Sequence, residues 1–186
     1  VLSFAGQSIS SLAHCPDLCL LFQGHAAGCK DGLSALENLR WQANLDGYGA
    51  DPQRNGAVPQ RYGADPQRHR PPDHVLIDAL NACGLAQQRD LHFALLSAGQ
   101  KRRLALSRLF LSLQYASPPS SDAAWPARLC WVLDEPSTAL DDQGQALVGE
   151  LLKQLINLGG LAIVATHSDI AGAPPARILR LSDFLP

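Results

Sequence analysis

The sequence predicts an α/β domain with a mostly parallel core sheet. Two observations carry that prediction. Short, continuous apolar runs alternate with segments of helical periodicity. Two of those runs, Leu129 to Leu133 and Leu161 to Ala165, end in polar, chemistry-bearing residues. In open parallel sheets, that end of a strand is where ligands sit.

Taken in order, Asp17 to Phe22 (DLCLLF) reads as a buried strand running into the loop QGHAAG. The helix that follows starts with a capping box, Ser34 as N-cap and Glu37 three residues on. The heptapeptide YGADPQR then occurs twice, from Tyr48 and from Tyr62, rich in Gly, Pro and Arg and without apolar period. It reads as a duplicated, flexible surface insertion. Asp73 to Leu85 is an amphipathic helix stopped by Gly84. Leu95 to Phe110 (LLSAGQKRRLALSRLF) is a small-residue turn opening a helix, and Gln114 to Ala127 is a second Pro/Ser/Ala loop. Arg128 to Pro136 reads as a strand buried on both faces. A helix closed by Gly159-Gly160, a second buried strand (LAIVATH) and a last half-buried strand (ARILRLSDF) complete the chain.

Composition narrows the function. The net charge of −2 gives no basic field for nucleic acid. No apolar run approaches the roughly 20 residues that cross a bilayer. Five cysteines at irregular spacing suit a reducing compartment better than a disulfide framework. His14, Cys15, Cys19, His25 and Cys29 are ligand-type residues, but their spacing matches no zinc motif. The chain begins with Val and has no Met, so it reads as processed, trimmed or a fragment.

Three stretches carry chemistry. Asp134-Glu135 follows an apolar strand, and adjacent strand residues point to opposite faces. One carboxylate can therefore serve Mg²⁺, a hard cation taking oxygen ligands, while the next orients or deprotonates water. His167, past the next strand, would reach a phosphate or that same water. The turn at Ser97 to Gln100 presents helix N–H groups, a hydroxyl and small residues, with Lys101, Arg102 and Arg103 behind it. That pattern reads as a surface for phosphate.

LSAGQ, then a helix, then WVLDEPSTALDD, then IVATH, in that order, resembles the nucleotide-binding subunit of an ABC transporter over nearly the whole chain. The resemblance implies a P-loop NTPase of ABC type with a helical signature subdomain, incomplete at the N-terminus. It implies one partial ABC ATPase domain over 1–186. Residues 1–25 would be part of the core sheet, and 26–115 the helical and signature subdomain with the repeat insertion at 46–72. Residues 128–186 would complete the core sheet. It implies ATP and Mg²⁺ as ligands, with Asp134 on the metal, Glu135 as the catalytic glutamate and His167 as the switch histidine. Asp141 would lie in the D-loop. Ser97, Ala98, Gly99 and Gln100 would close in trans on ATP held by a second ATPase subunit, packed head to tail.

Counting back twelve residues from Glu37 puts His25, not Gln23, at the Q-loop position. The stretch GHAAGCKDGLSALENLRW resembles the haem-exporter ATPase branch of bacterial cytochrome c maturation. That branch implies integral membrane subunits of a haem-handling transporter as partners, met by the loop after His25 and the helical region. It implies a peripheral place on the cytoplasmic face of the inner membrane. The phosphate cradle G-x-x-G-x-G-K-S/T is absent from the 186 residues, and GHAAGCKDG has the wrong spacing. VLSFAGQSI resembles the family's strand after that cradle, so on the order of 50–60 residues are expected to precede it. Two alternatives stay open: a non-catalytic truncated subunit, and an ABC ATPase serving another substrate.

Overall fold

The computed structural model describes residues 2–4, 7–9, 18–46, 71–116 and 128–179. The elements follow as β1 (Leu2–Phe4), β2 (Gln7–Ile9), β3 (Leu18–Gln23), α1 (Ala35–Leu45), α2 (Asp73–Ala82), α3 (Ala98–Ala116), β4 (Arg128–Asp134), α4 (Asp142–Asn157) and β5 (Leu161–Ala165). Strands β3, β4 and β5 form a parallel sheet in that order, with Leu21 opposite Trp131 and Val132 opposite Ile163. Parallel pairing needs a crossover, and α4 supplies the one between β4 and β5. All three strands consequently end at one edge of the sheet.

Two apolar clusters flank α3. One joins the sheet to α3 and α4 through Leu21, Trp131, Leu106, Leu109, Leu151 and Leu155. The other joins α1, α2 and α3 through Leu39, Leu76, Leu80, Leu104 and Leu111. Because α3 is a wall of both, its buried residues spread around its circumference instead of forming one stripe. Trp131 is fully buried, and its indole Nε1–H donates to Ser112 Oγ at 3.2 Å.

Local signals in the sequence formed as expected. Ser34 and Glu37 make the capping box of α1, with the Glu37 carboxylate 2.8 Å from Ser34 N. Asn38 is fully buried, and its carboxamide bonds Lys30 N–H and the carbonyls of Lys30, Leu33 and Ser34. That ties the loop after β3 to α1. Gly159, at φ 76, closes α4 in a conformation that side chains resist.

Among the described residues of 1–25, Leu18–Gln23 enters the parallel sheet, while Leu2–Phe4 and Gln7–Ile9 pair antiparallel with each other. Two strand expectations are corrected. β5 is not buried: Leu161 and Ile163 are more than half exposed, and among the described residues it pairs with β4 alone. Ala176–Leu179 lies outside any strand, with Ile178 and Leu179 exposed. The YGADPQR repeat, residues 117–127 and residues 180–186 lie outside the described residues. Among those described, no helix is long and apolar enough to cross a membrane.

If Trp131 holds the sheet to α3, Trp131→Ala should cost about 3–5 kcal/mol in urea unfolding. A loss near zero would contradict this reading of the core.

Candidate active site

The ends of β4 and β5 bring three of the expected residues together. β4 ends at Asp134, and Glu135 takes a left-handed backbone conformation, φ 48. The alternation argument therefore does not apply to this pair: Glu135 stands beyond the strand, re-aimed by the turn. Its N–H donates to Ala165 O at 2.8 Å, which continues the β4–β5 pairing by one bond. The carboxylate then meets His167, accepting from its backbone N–H at 3.1 Å and lying 2.8 Å from ring Nδ1. The hydroxyls of Thr138 and Thr166 approach it at 3.4 Å. A ring that donates from Nδ1 leaves Nε2 for a second group. The His167 hydrogen bond, above all, holds the Glu135 carboxyl below the ordinary carboxylate range.

Asp134 is half-buried at the strand end, and its backbone carbonyl accepts from Arg102. Among the described residues no group of three His, Cys, Asp or Glu forms a metal cage. A lone carboxylate suits Mg²⁺ that arrives with phosphate oxygens and keeps its waters. Asp141 caps α4, accepting from Gly144 N–H at 3.0 Å and from Arg103 at 2.6 Å. The Gly144 bond first, then Arg103, holds its carboxyl below the usual range.

The turn before α3 is a second capping box. Ser97 Oγ accepts from Gln100 N–H at 3.2 Å, and Gln100 Oε1 accepts from Ser97 N–H at 2.9 Å. Ser97 and Ala98 are exposed, so the helix end faces outward. Gly99 has a further reason to be glycine: a Cβ there would stand 3.0 Å from the Ala139 carbonyl. Among the described residues, no hydrogen bond joins the cap to Glu135 or His167. The cap meets the acidic turn through Gly99 and Ala139.

The basic residues behind the cap do not all read phosphate. Arg102 is 7% exposed and turned inward, donating to backbone carbonyls. Arg103 pairs with Asp141 and donates to the Cys83 carbonyl. Lys101 lies 4.9 Å over the Phe93 ring. Helical geometry explains the inward turn. Position 102 shares a face with Ala105, Leu106 and Leu109, three, four and seven residues on, and that apolar face packs on the sheet.

His25 is exposed in the loop after β3. Gln23, two residues earlier, is buried, and neither atom of its carboxamide has a hydrogen-bond partner. It lines a cleft of about 360 Å³ with Phe22, Trp41, Gln42, Leu45 and Arg108, between β3, α1 and α3. Gln42 leaves its carbonyl oxygen unpaired in the same cleft. A glutamine ending an apolar strand was the only trace of this in the sequence.

The native value of Glu135 lies below the ordinary 4.5, so its bonds contribute stability above that pH. The contribution is lost as pH falls through the lower native value. In a ¹³C carboxyl titration, His167→Ala should move the Glu135 midpoint upward. An unmoved midpoint would show that His167 does not hold the carboxylate.

Comparisons with known proteins give likeness in sequence and in fold. No protein-family profile matches the chain. The cytochrome c biogenesis ATP-binding export protein CcmA of Vibrio vulnificus is 34% identical over 88% of the chain and 63% of that protein. CcmA of Vibrio cholerae is 38% identical over the same shares. The chain thus spans about 63% of the length of these curated relatives. An ATP-binding cassette solved as a dimer after hydrolysis, with ADP and phosphate, superposes with a TM-score of 0.53. That match covers 82% of the chain and 53% of the cassette at 21% identity, and it shows the fold. In sequence the chain is similar to the CcmA proteins over about 63% of their length, and its fold is that of part of an ATP-binding cassette.

Proposed function

We propose that this chain belongs to the ATP-hydrolysing subunit of an ABC transporter that serves cytochrome c maturation, with haem as the substance handled. The observation that carries the hydrolytic part is the Glu135–His167 pair at the ends of two adjacent parallel strands. A carboxylate there can orient or deprotonate water, and the same imidazole, when protonated on both nitrogens, can donate from Nε2 to the γ-phosphate. Asp134 would hold Mg²⁺, which when bound neutralises developing phosphate charge. The outward cap at Ser97–Gln100 suits a phosphate presented from outside the chain. We assign that phosphate to ATP held by a second, head-to-tail subunit. Asp141, by fixing α4 to Arg103, keeps the turn between these two surfaces in place.

The haem part rests on the likeness to the CcmA proteins, whose name records export for cytochrome c biogenesis. A peripheral place on the cytoplasmic face of the inner membrane goes with that reading. The membrane partner would seat in the cleft between β3, α1 and α3. Its walls are largely apolar, and the Gln23 and Gln42 carboxamides offer unpaired hydrogen-bonding atoms. His25 stands in the loop at its margin.

In the full-length protein, Glu135→Gln should lower ATP turnover by about 10²-fold or more. It should also accumulate an ATP-bound dimer in light scattering. Unchanged turnover, with the variant monomeric in ATP, would overturn the role given to Glu135.

A further inference from the structure

Arg102 is a buried cation that, among the described residues, has no carboxylate hydrogen-bonded to it. Its guanidinium instead donates to four backbone carbonyls on two loops. Nε reaches Pro136 O at 3.3 Å, Nη1 reaches Gly24 O at 3.3 Å, and Nη2 reaches Asp134 O at 2.7 Å and also Glu135 O. Burial disfavours its charge, and the nearby Asp134 and Glu135 carboxylates favour it. A charge is seldom kept at a buried position without a specific gain.

The carbonyls it holds identify that gain. Three belong to the turn that carries Glu135, and Glu135 occupies a left-handed conformation that a non-glycine residue adopts only when its surroundings impose it. The peptide on the amino side of Glu135 is fixed by Ala165 O on β5. The peptide on its carboxyl side is fixed by Arg102. The fourth carbonyl, Gly24 O, ties the loop after β3 into the same clamp. Arg102 lies five residues after Ser97, little more than one helical turn along the same rigid helix. Gly99 of that cap abuts Ala139, at the far end of the same acidic turn.

We propose that Arg102 is the positioning residue for Glu135, and that it makes the placement of this carboxylate depend on the position of the Ser97–Gln100 end of α3. A helix that shifts when its cap engages a phosphate moves the guanidinium, and with it the turn that aims Glu135. One copy's service to its partner's nucleotide is thereby linked to hydrolysis at its own strand ends. The proposal rests on the hydrolytic reading of Glu135 given above and adds the residue that governs it.

The test is a four-way comparison in the full-length protein: parent, Arg102→Lys, Glu135→Gln, and both together. A lysine keeps the charge but cannot span four carbonyls with a planar fork. Single-turnover hydrolysis should fall at least tenfold on Arg102→Lys alone, with KM for ATP changed less than threefold. In the Glu135→Gln background the same substitution should change the residual rate less than twofold, because there is no carboxylate left to aim. Equal losses in both backgrounds would reveal a merely structural residue and overturn the proposal. So would no loss on Arg102→Lys while Glu135→Gln is inactive. If instead Glu135→Gln keeps full turnover, the hydrolytic reading itself fails. Should the lysine variant not fold, Arg102→Gln, neutral and still a planar donor, is read in the same comparison with the same expected and contradicting outcomes.

Discussion

Three adjacent parallel strands present their carboxyl ends at one edge, and β4 in the middle is hydrogen-bonded on both sides along its length. This constraint governs the rest of the molecule. It sets the β4 turn beside the end of β5, so that Glu135 N–H can continue the ladder to Ala165 O. One residue beyond that bond, the polar run Thr166-His167 arrives within reach of the Glu135 carboxylate. Nothing in the side chains alone would bring residues 135 and 167 together; the pairing register does.

The helix α3 is the second organising part. It divides the core into two clusters and exports its cations to the loops that surround it. Arg108 holds Asp46 at the end of α1 and the Phe22 carbonyl at the end of β3. Arg103 holds the cap of α4. Arg102 holds the turns after β3 and β4. Three arginines of one helix thus tie down both ends of the cleft and the acidic turn. Isolated surface ion pairs contribute little to stability. Here the geometry matters more, because each guanidinium joins elements distant in sequence.

Much of this was legible in the sequence, and the exceptions have physical causes. The capping box at Ser34 and Glu37, the stop at Gly84 and the buried run before Asp134 are local signals, and local signals formed as written. The acidic pair and His167 were legible because polar residues closing apolar strands mark the ligand edge of a parallel sheet. The destinations of Arg102 and Arg103 were not read, since basic residues behind a small-residue cap suggest an anion. The apolar spacing from 102 through 105, 106 and 109 held the correcting signal. Burial of Gln23, with His25 left exposed, depends on how α1 and α3 meet β3, which no local pattern encodes. The exposure of β5 is likewise a property of what lies beside it, not of its apolar composition.

The central claim is that the strand-end cluster and the outward cap are two halves of one nucleotide site, contributed by different copies. A structure of the full-length protein with Mg²⁺ and a non-hydrolysable ATP analogue tests it most directly. The account predicts a head-to-tail dimer with the γ-phosphate within hydrogen-bonding distance of His167 in one copy and of Ser97 in the other. A nucleotide bound with Ser97 of either copy turned away from it, or contacted by His167 and Ser97 of the same chain, would contradict the account.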